Sequence, residues 1–276
     1  MEIKLGVRGH DLASNVEPEE FAKIIHDYGF SYLQLVMNKA LKNPVYDEEY
    51  ASRVKKALDQ YGIKVAMLGA YFNPVHSDKA VVEKGVVTFE KSLAFSHLFA
   101  APVGSETGSF NDSPWIYVPK NRTEEGYQQS KGVFAGLLKK AEALGAKMVL
   151  EPAFGHVMWS VQTLKRLVDE FNSPNVEVTI DLYNLLDASN FEERDAIFHE
   201  ALSTFGNKIK ILHLKNGKVV DGKLTQFAPG EGDFHYEFML KEIKKYCPDA
   251  TMVFEGVKAD KIVQSKAFIE AISKRI

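Results

Sequence analysis

Four residues able to bind a divalent cation stand at matching points of four apolar segments. They are Glu151 in Val149-Leu150-Glu151-Pro152, Asp181 in Thr179-Ile180-Asp181, His213 in Ile211-Leu212-His213 and Glu255 in Val253-Phe254-Glu255. Each closes a short aliphatic or β-branched run of the kind that forms a buried strand. Side chains alternate across a strand, so Leu150, Ile180, Leu212 and Phe254 are predicted to face one way and the four candidate ligands the other. Three carboxylates and one imidazole make an oxygen-rich donor set for a divalent metal ion: Mn²⁺, Mg²⁺ or Co²⁺, with Zn²⁺ also compatible. A single acid at a strand end is more often one half of an ion pair. Three acids converging without a cation, however, would repel one another and resist desolvation, so the set calls for a bound positive charge or for raised pKa values. Lys215, two residues past His213 and in the same phase, is the rival source of that charge, or else a substrate ligand.

Residues 30, 32 and 42 positions apart can meet only if the segments that carry them run parallel and end at one place. Strand patterns occur at Ile3–Gly9, Tyr32–Met37, Lys64–Phe72, Pro102–Gly108, Lys147–Pro152, Val176–Tyr183, Ile209–Asn216 and Thr251–Val257. Helical patterns lie between them, opened by caps such as Asp47 and Ser160 or closed by Gly29, Gly62 and Gly145. Eight strand–helix units predict an α/β fold, a closed (β/α)8 barrel with its chemistry on the loops that follow the strands. The turn Gly6-Val7-Arg8-Gly9-His10 lacks the glycine spacing of a dinucleotide-binding open sheet. Nothing resembling a linker interrupts the alternation, so residues 1–276 are predicted to form one domain. Two longer inserts, Asn73–Lys79 and Ser109–Arg122, fall where loops should overhang the mouth. Lys147 and Glu177 share the inward phase at the opposite strand ends and read as a structural ion pair.

With 45% apolar and 26% charged residues, the chain can bury a large core, which argues against disorder. A net charge of −3, spread along the sequence, offers no footprint for nucleic acid or an anionic membrane. Charges at Glu2, Lys4 and Arg8 break the apolar run a secretory leader needs, so a mature N-terminus is expected. The single cysteine, Cys247, excludes an internal disulfide and reads as structural; with no membrane span in the pattern, a cytoplasmic location follows.

The motifs resemble those of the xylose-isomerase-like sugar phosphate isomerase/epimerase superfamily, which includes ketose 3-epimerases, inosose isomerases and dehydratases, and apurinic-site endonucleases. They are Glu-Pro-x-x-x-His at Glu151–His156, Asp-x-x-Asn-Leu at Asp181–Leu185, His-Leu-Lys-Asn at His213–Asn216, Pro-Gly-x-Gly-Asp at Pro229–Asp233, Glu-Thr-Gly at Glu106–Gly108, and Phe254-Glu255. Their order and spacing cover nearly the whole chain. The resemblance implies a TIM barrel in which Glu151, Asp181, His213 and Glu255 hold one divalent ion, with Glu151 and Glu255 doubling as the catalytic acid/base pair. Asn184 stands where the ketose epimerases and nucleases carry histidine, so it cannot take that protonatable role and is expected to bind substrate through its amide. The trinuclear nucleases need histidines after the seventh strand, and Gly217–Gly230 has none.

The expected substrate is an unphosphorylated sugar, ketose, inosose or related polyol. The expected reaction is proton abstraction beside a carbonyl through an enediolate, giving isomerisation or epimerisation. Loss of a β-hydroxyl as water would make the same site a dehydratase, and a non-catalytic sugar-binding barrel is the alternative from another class. His76, Glu106, His156, Asn184 and Lys215 are the candidate substrate-binding residues, with His10, Trp115 and Trp159 as further mouth residues. Oligomerisation is left open, with a homo-oligomer compatible.

Overall fold

The computed structural model describes residues 3–113 and 115–276. Met1 and Glu2, read above as part of a mature N-terminus, and Pro114 of the second insert lie outside the described residues. Eight strands close a parallel barrel: β1 (Leu5–Arg8), β2 (Tyr32–Leu35), β3 (Lys64–Gly69), β4 (Val103–Glu106), β5 (Met148–Glu151), β6 (Val176–Asp181), β7 (Ile209–Leu214) and, after a hairpin, β10 (Thr251–Phe254). Each strand pairs with its sequence neighbour in the barrel, and β1 pairs with β10 to complete it. All eight expected strands are present. Their ladders stop one to three residues inside most of the expected ends, as at Leu35, where Met37 already opens the short helix α2 (Met37–Ala40).

The outer ring is built by α1 (Pro18–Asp27), α3 (Glu48–Asp59), α4 (Lys79–Phe99), α5 (Glu124–Leu144), α6 (Val161–Phe171), α7 (Arg194–Phe205), α8 (Tyr236–Tyr246) and α9 (Ala259–Ser273). Local chemistry explains several boundaries. Asp47 accepts a hydrogen bond from the Tyr50 amide at the start of α3, and Ser160 and Thr163 form a reciprocal capping box on α6. Gly145 ends α5 at φ +62°, a backbone conformation that costs a residue with a Cβ.

Strand phase separates two apolar layers. Leu150, Ile180, Leu212 and Phe254 join the large core between strands and helices, as the alternation predicts. Val149, Ile211 and Val253, each two residues before a candidate ligand, pack with Met67 as a plug inside the barrel. Burying each such side chain contributes about 1.5–3 kcal/mol, so the plug is a firm, water-excluding floor under the strand ends. At the opposite end, Lys147 Nζ lies 2.8 Å from Glu177 Oε1, the expected ion pair. Cys247 is buried, and burial pushes its thiol up to about 12, consistent with a structural role.

One feature was not anticipated. After β7 the chain forms an antiparallel hairpin, β8 (Asn216–Val220) and β9 (Lys223–Phe227), turning at Asp221 and Gly222 with φ of +50° and +74°. Both positive φ values suit a type I′ turn, for which Asp-Gly is a preferred pair. Gln226 Nε2 donates to the carbonyls of Glu255 and Gly256, tying the hairpin to the end of β10. The Pro229–Asp233 motif packs at its root: a Cβ on Gly232 would come within 2.2 Å of Asn216 Oδ1, which accepts the Phe234 amide.

Candidate active site and metal centre

The C-terminal ends of β5, β6, β7 and β10 bring Glu151, Asp181, His213 and Glu255 together. One donor atom from each lies within 4.8 Å of the others, and all four residues are buried. Register accounts for this: Asp181 pairs with His213, and His213 with Val253, two residues before Glu255. His213 Nδ1 faces three carboxylates, at 3.3 Å from Glu151 Oε1, 3.4 Å from Asp181 Oδ2 and 2.9 Å from Glu255 Oε2.

Lys215 belongs to the same cluster. Its ammonium is 2.7 Å from Asp181 Oδ2 and 2.9 Å from Glu255 Oε2, and it donates to Asn184 Oδ1 at 3.2 Å. Burial opposes its charge, but Asp181, Glu255 and Glu151 outweigh that and raise its pKa. The rival cation named from the sequence is therefore present, as part of an ion-pair network. Glu151, Asp181 and Glu255 face Lys215 and Arg8, the latter shared with Asp11, and against the opposing effect of burial these carboxylates raise the pKa of the His213 imidazole.

A divalent cation fits the same donors. Asp181 Oδ2 and Glu255 Oε2 are buried, and among the described residues they meet the Lys215 ammonium and His213 Nδ1. With His213 Nδ1 and Glu151 Oε1 they form the hard, oxygen-rich donor set that such an ion takes. An ion there would share both oxygens with Lys215.

The two glutamates differ. Burial raises the Glu151 carboxyl above the usual range, with His213 pulling the other way, and Asn184 Nδ2 donates to its Oε1 at 2.7 Å. Glu255 is also buried, but His213, Lys215 and Arg8 together hold its carboxyl well below that range. Arg8, at the end of β1, donates to Glu255 Oε1 and is itself anchored by Asp11.

Above the cluster opens a cleft of about 490 Å³ walled by Arg8, His10, Tyr71, Glu106, Trp115 and His156, with Lys39 and Ser113 at its rim. Glu106 pairs with Glu151 across the β4–β5 ladder; burial, then Glu151 and Glu255, push its carboxyl up to about 8. His156 is buried, its Nδ1 has no hydrogen-bond partner among the described residues, and burial pushes it down to about 4. Trp115 meets its ring edge-on with centroids 5.9 Å apart. His10 is likewise lowered to about 4, by burial and then by Arg8, and its Nδ1 is also unpartnered among the described residues. A larger recess of about 1270 Å³ lies at the other end of the barrel, around Lys147 and Glu177, away from these groups.

Other expected mouth residues are placed differently. His76 is turned into its own loop, where Nδ1 accepts the Asp78 amide, and it does not line the cleft. The Asn184 amide is spent between Glu151 and Lys215, which makes it a positioning group within the cluster. Trp159 stacks on Arg122, 4.2 Å from its ring, in a latch that Tyr117 and Phe154 complete.

Three residues of the site were missed from the sequence: Arg8, Gln34 and Tyr71. Two of them carried a signal. Arg8 ends β1 in the inward phase, and Gln34 is the single polar residue of Leu33-Gln34-Leu35-Val36. Gln34 is fully buried, hydrogen-bonded to His213 Nε2 at 2.7 Å through Oε1 and to Tyr71 Oη at 2.8 Å through Nε2.

No curated protein sequence matches the chain at a significant level. Solved structures do share its fold. The 3-keto-D-glucoside 4-epimerase of E. coli is 16% identical with a TM-score of 0.75, covering 98% of this chain and 100% of that one. The IOLI protein with a binding zinc atom is 18% identical with a TM-score of 0.73, covering 99% of each. The probable 3-DHS dehydratase AsbF of Bacillus anthracis is 14% identical with a TM-score of 0.74, covering 99% and 100%. At such identities the likeness is one of fold. Residues 22–272, from the first outer helix to the last, match a single family description, and the chain therefore belongs to the xylose isomerase-like TIM barrel family.

Proposed function

We propose that this protein is a divalent-metal-dependent isomerase or epimerase of an unphosphorylated ketose, inosose or related polyol, with Glu151, Asp181, His213 and Glu255 as ligands. The observation that carries the reading is the convergence of these four groups within 4.8 Å beneath an open cleft. A divalent ion there would polarise a substrate carbonyl and stabilise negative charge developing on its oxygen. Glu151 takes the proton from the adjacent carbon, because its raised pKa and the Asn184 hydrogen bond give it basicity and a fixed direction. Glu255, held ionised by its cationic neighbours, is the base for the opposite epimer, and it takes up a solvent proton before it returns one to the other face. Glu106 holds a proton at neutral pH and donates it to a substrate hydroxyl.

The cleft's buried cations are committed to carboxylates and its two histidines are held neutral, which favours an uncharged polyol over a sugar phosphate. The similar fold of an epimerase named for a 3-keto-glucoside supports this substrate class. One observation keeps dehydration as a second reading. A protonated Glu106 is the general acid that departure of a β-hydroxyl as water requires, and the probable dehydratase of similar fold is consistent with that.

Solvent deuterium exchange into candidate ketoses and inososes tests the assignment. Glu151→Gln and Glu255→Gln are each expected to lower exchange by at least about 100-fold, the usual contribution of a positioned acid or base. Full exchange in both variants would remove their role, and a product lighter by one water would select the dehydratase.

A further inference from the structure

His213 must present a lone pair to the cluster if it is to hold a cation, and a neutral imidazole has only one. Which nitrogen carries the proton is decided on the side of the ring away from the carboxylates. There Gln34, fully buried on β2, lies 2.7 Å from Nε2, and beyond it the Tyr71 hydroxyl lies 2.8 Å from the other end of the amide.

The amide is turned so that Nε2 donates to the Tyr71 hydroxyl oxygen at 2.8 Å. That places Gln34 Oε1 against His213, where only a protonated Nε2 can satisfy it, and Nδ1 is left with its lone pair aimed at Glu151, Asp181 and Glu255. The reverse order would put the ring proton on Nδ1, in the ion's place.

We propose that Gln34 and Tyr71 are positioning residues that set the tautomer of His213 and thereby the affinity of the four-residue cluster for a divalent ion. This rests on the metal reading above. Polar partners behind a ligating histidine change metal affinity by about 10–100-fold.

The test is a Co²⁺ titration of the full chain, followed by visible absorption, in the wild type and in Gln34→Met, Gln34→Glu and Tyr71→Phe. Thermal melts of each ion-free variant report folding. Gln34→Met is expected to weaken Co²⁺ by about 10–100-fold, and Tyr71→Phe by a smaller factor. Gln34→Glu, which keeps an acceptor for Nε2–H, should hold affinity near that of the wild type. A folded Gln34→Met that binds as tightly as the wild type, or a Gln34→Glu as weak as Gln34→Met, overturns the relay and leaves the proposed function standing. A wild type that binds no Co²⁺ overturns both. Long-range ¹H–¹⁵N spectra of the zinc-loaded protein give an answer independent of affinity: the proton belongs on Nε2 of His213, and finding it on Nδ1 refutes the proposal.

Discussion

Glu151 and Glu255 are chemically identical and lie in one cluster, yet their neighbours drive them apart. Glu151 receives the neutral amide of Asn184, whereas Glu255 is gripped by Arg8 and Lys215. Two carboxylates with divergent pKa values are the usual arrangement for dividing acid and base roles. At the mouth, His156 gives a test that needs no substrate. Burial lowers its pKa from 6.5 to about 4, so below pH 6.5 the unfolded chain takes up a proton that the folded ring refuses. Its contribution is intact above pH 6.5 and is lost as the pH falls toward 4, a decline of about 3 kcal/mol at roughly 1.4 kcal/mol per unit. Urea midpoints measured from pH 7 to 4 should fall less steeply in His156→Gln than in the wild type. Parallel curves for the two proteins would show that the ring is not held neutral.

The elements that shape the cleft are loops whose hold on the barrel comes from buried amides. Asn121, 1% exposed, accepts the Phe110 amide and donates to Ser109 Oγ and to the Gly155 carbonyl. It thereby joins the 109–122 insert, which carries Trp115, to the loop that carries His156. Asn121→Ala leaves those partners buried without a bond, at about 1–3 kcal/mol for each group left unsatisfied. Limited proteolysis should then cut within the insert while the barrel stays intact, and a resistant insert would mean that Arg122 and its aromatic partners suffice. Strands and helices were legible because periods of two and of 3.6 residues are local properties. The hairpin is legible too, in Val219-Val220-Asp221-Gly222-Lys223-Leu224, where an Asp-Gly pair separates two short runs. The orientation of His76 was not legible, since it depends on a contact with the Asp78 amide in a loop without periodicity.

For the molecule as a whole, barrel closure gathers three carboxylates and an imidazole into one donor set. Ligand binding to the folded state alone should therefore stabilise it. At an ion concentration 100 times Kd the gain is about 2.7 kcal/mol, or roughly 5–10 °C in Tm at about 2–4 °C per kcal/mol. Chelator-stripped protein should show that rise on addition of Mn²⁺. Lys215→Met removes the competing ammonium and strands two buried carboxylates, so its ion-free Tm should fall and its ion-induced rise should grow. If no divalent ion moves the Tm of either protein, the cluster is an ion-pair network and not a metal site. Among the described residues, no helix is long and apolar enough to cross a membrane.

Alternation along each strand is a property of the chain, so the inward phase of Glu151, Asp181, His213 and Glu255 was determined by the sequence, as were the eight strands that carry them. Partners contributed by distant strands were not. Arg8 reaches Glu255 across 247 positions and Gln34 reaches His213 across 179, and such distances are closed only by the register of a completed barrel. The sequence thus determined which groups face the axis. The tertiary structure decided which of them touch, because charge and hydrogen bonding act over ångströms whereas sequence separation places no bound on distance in the fold.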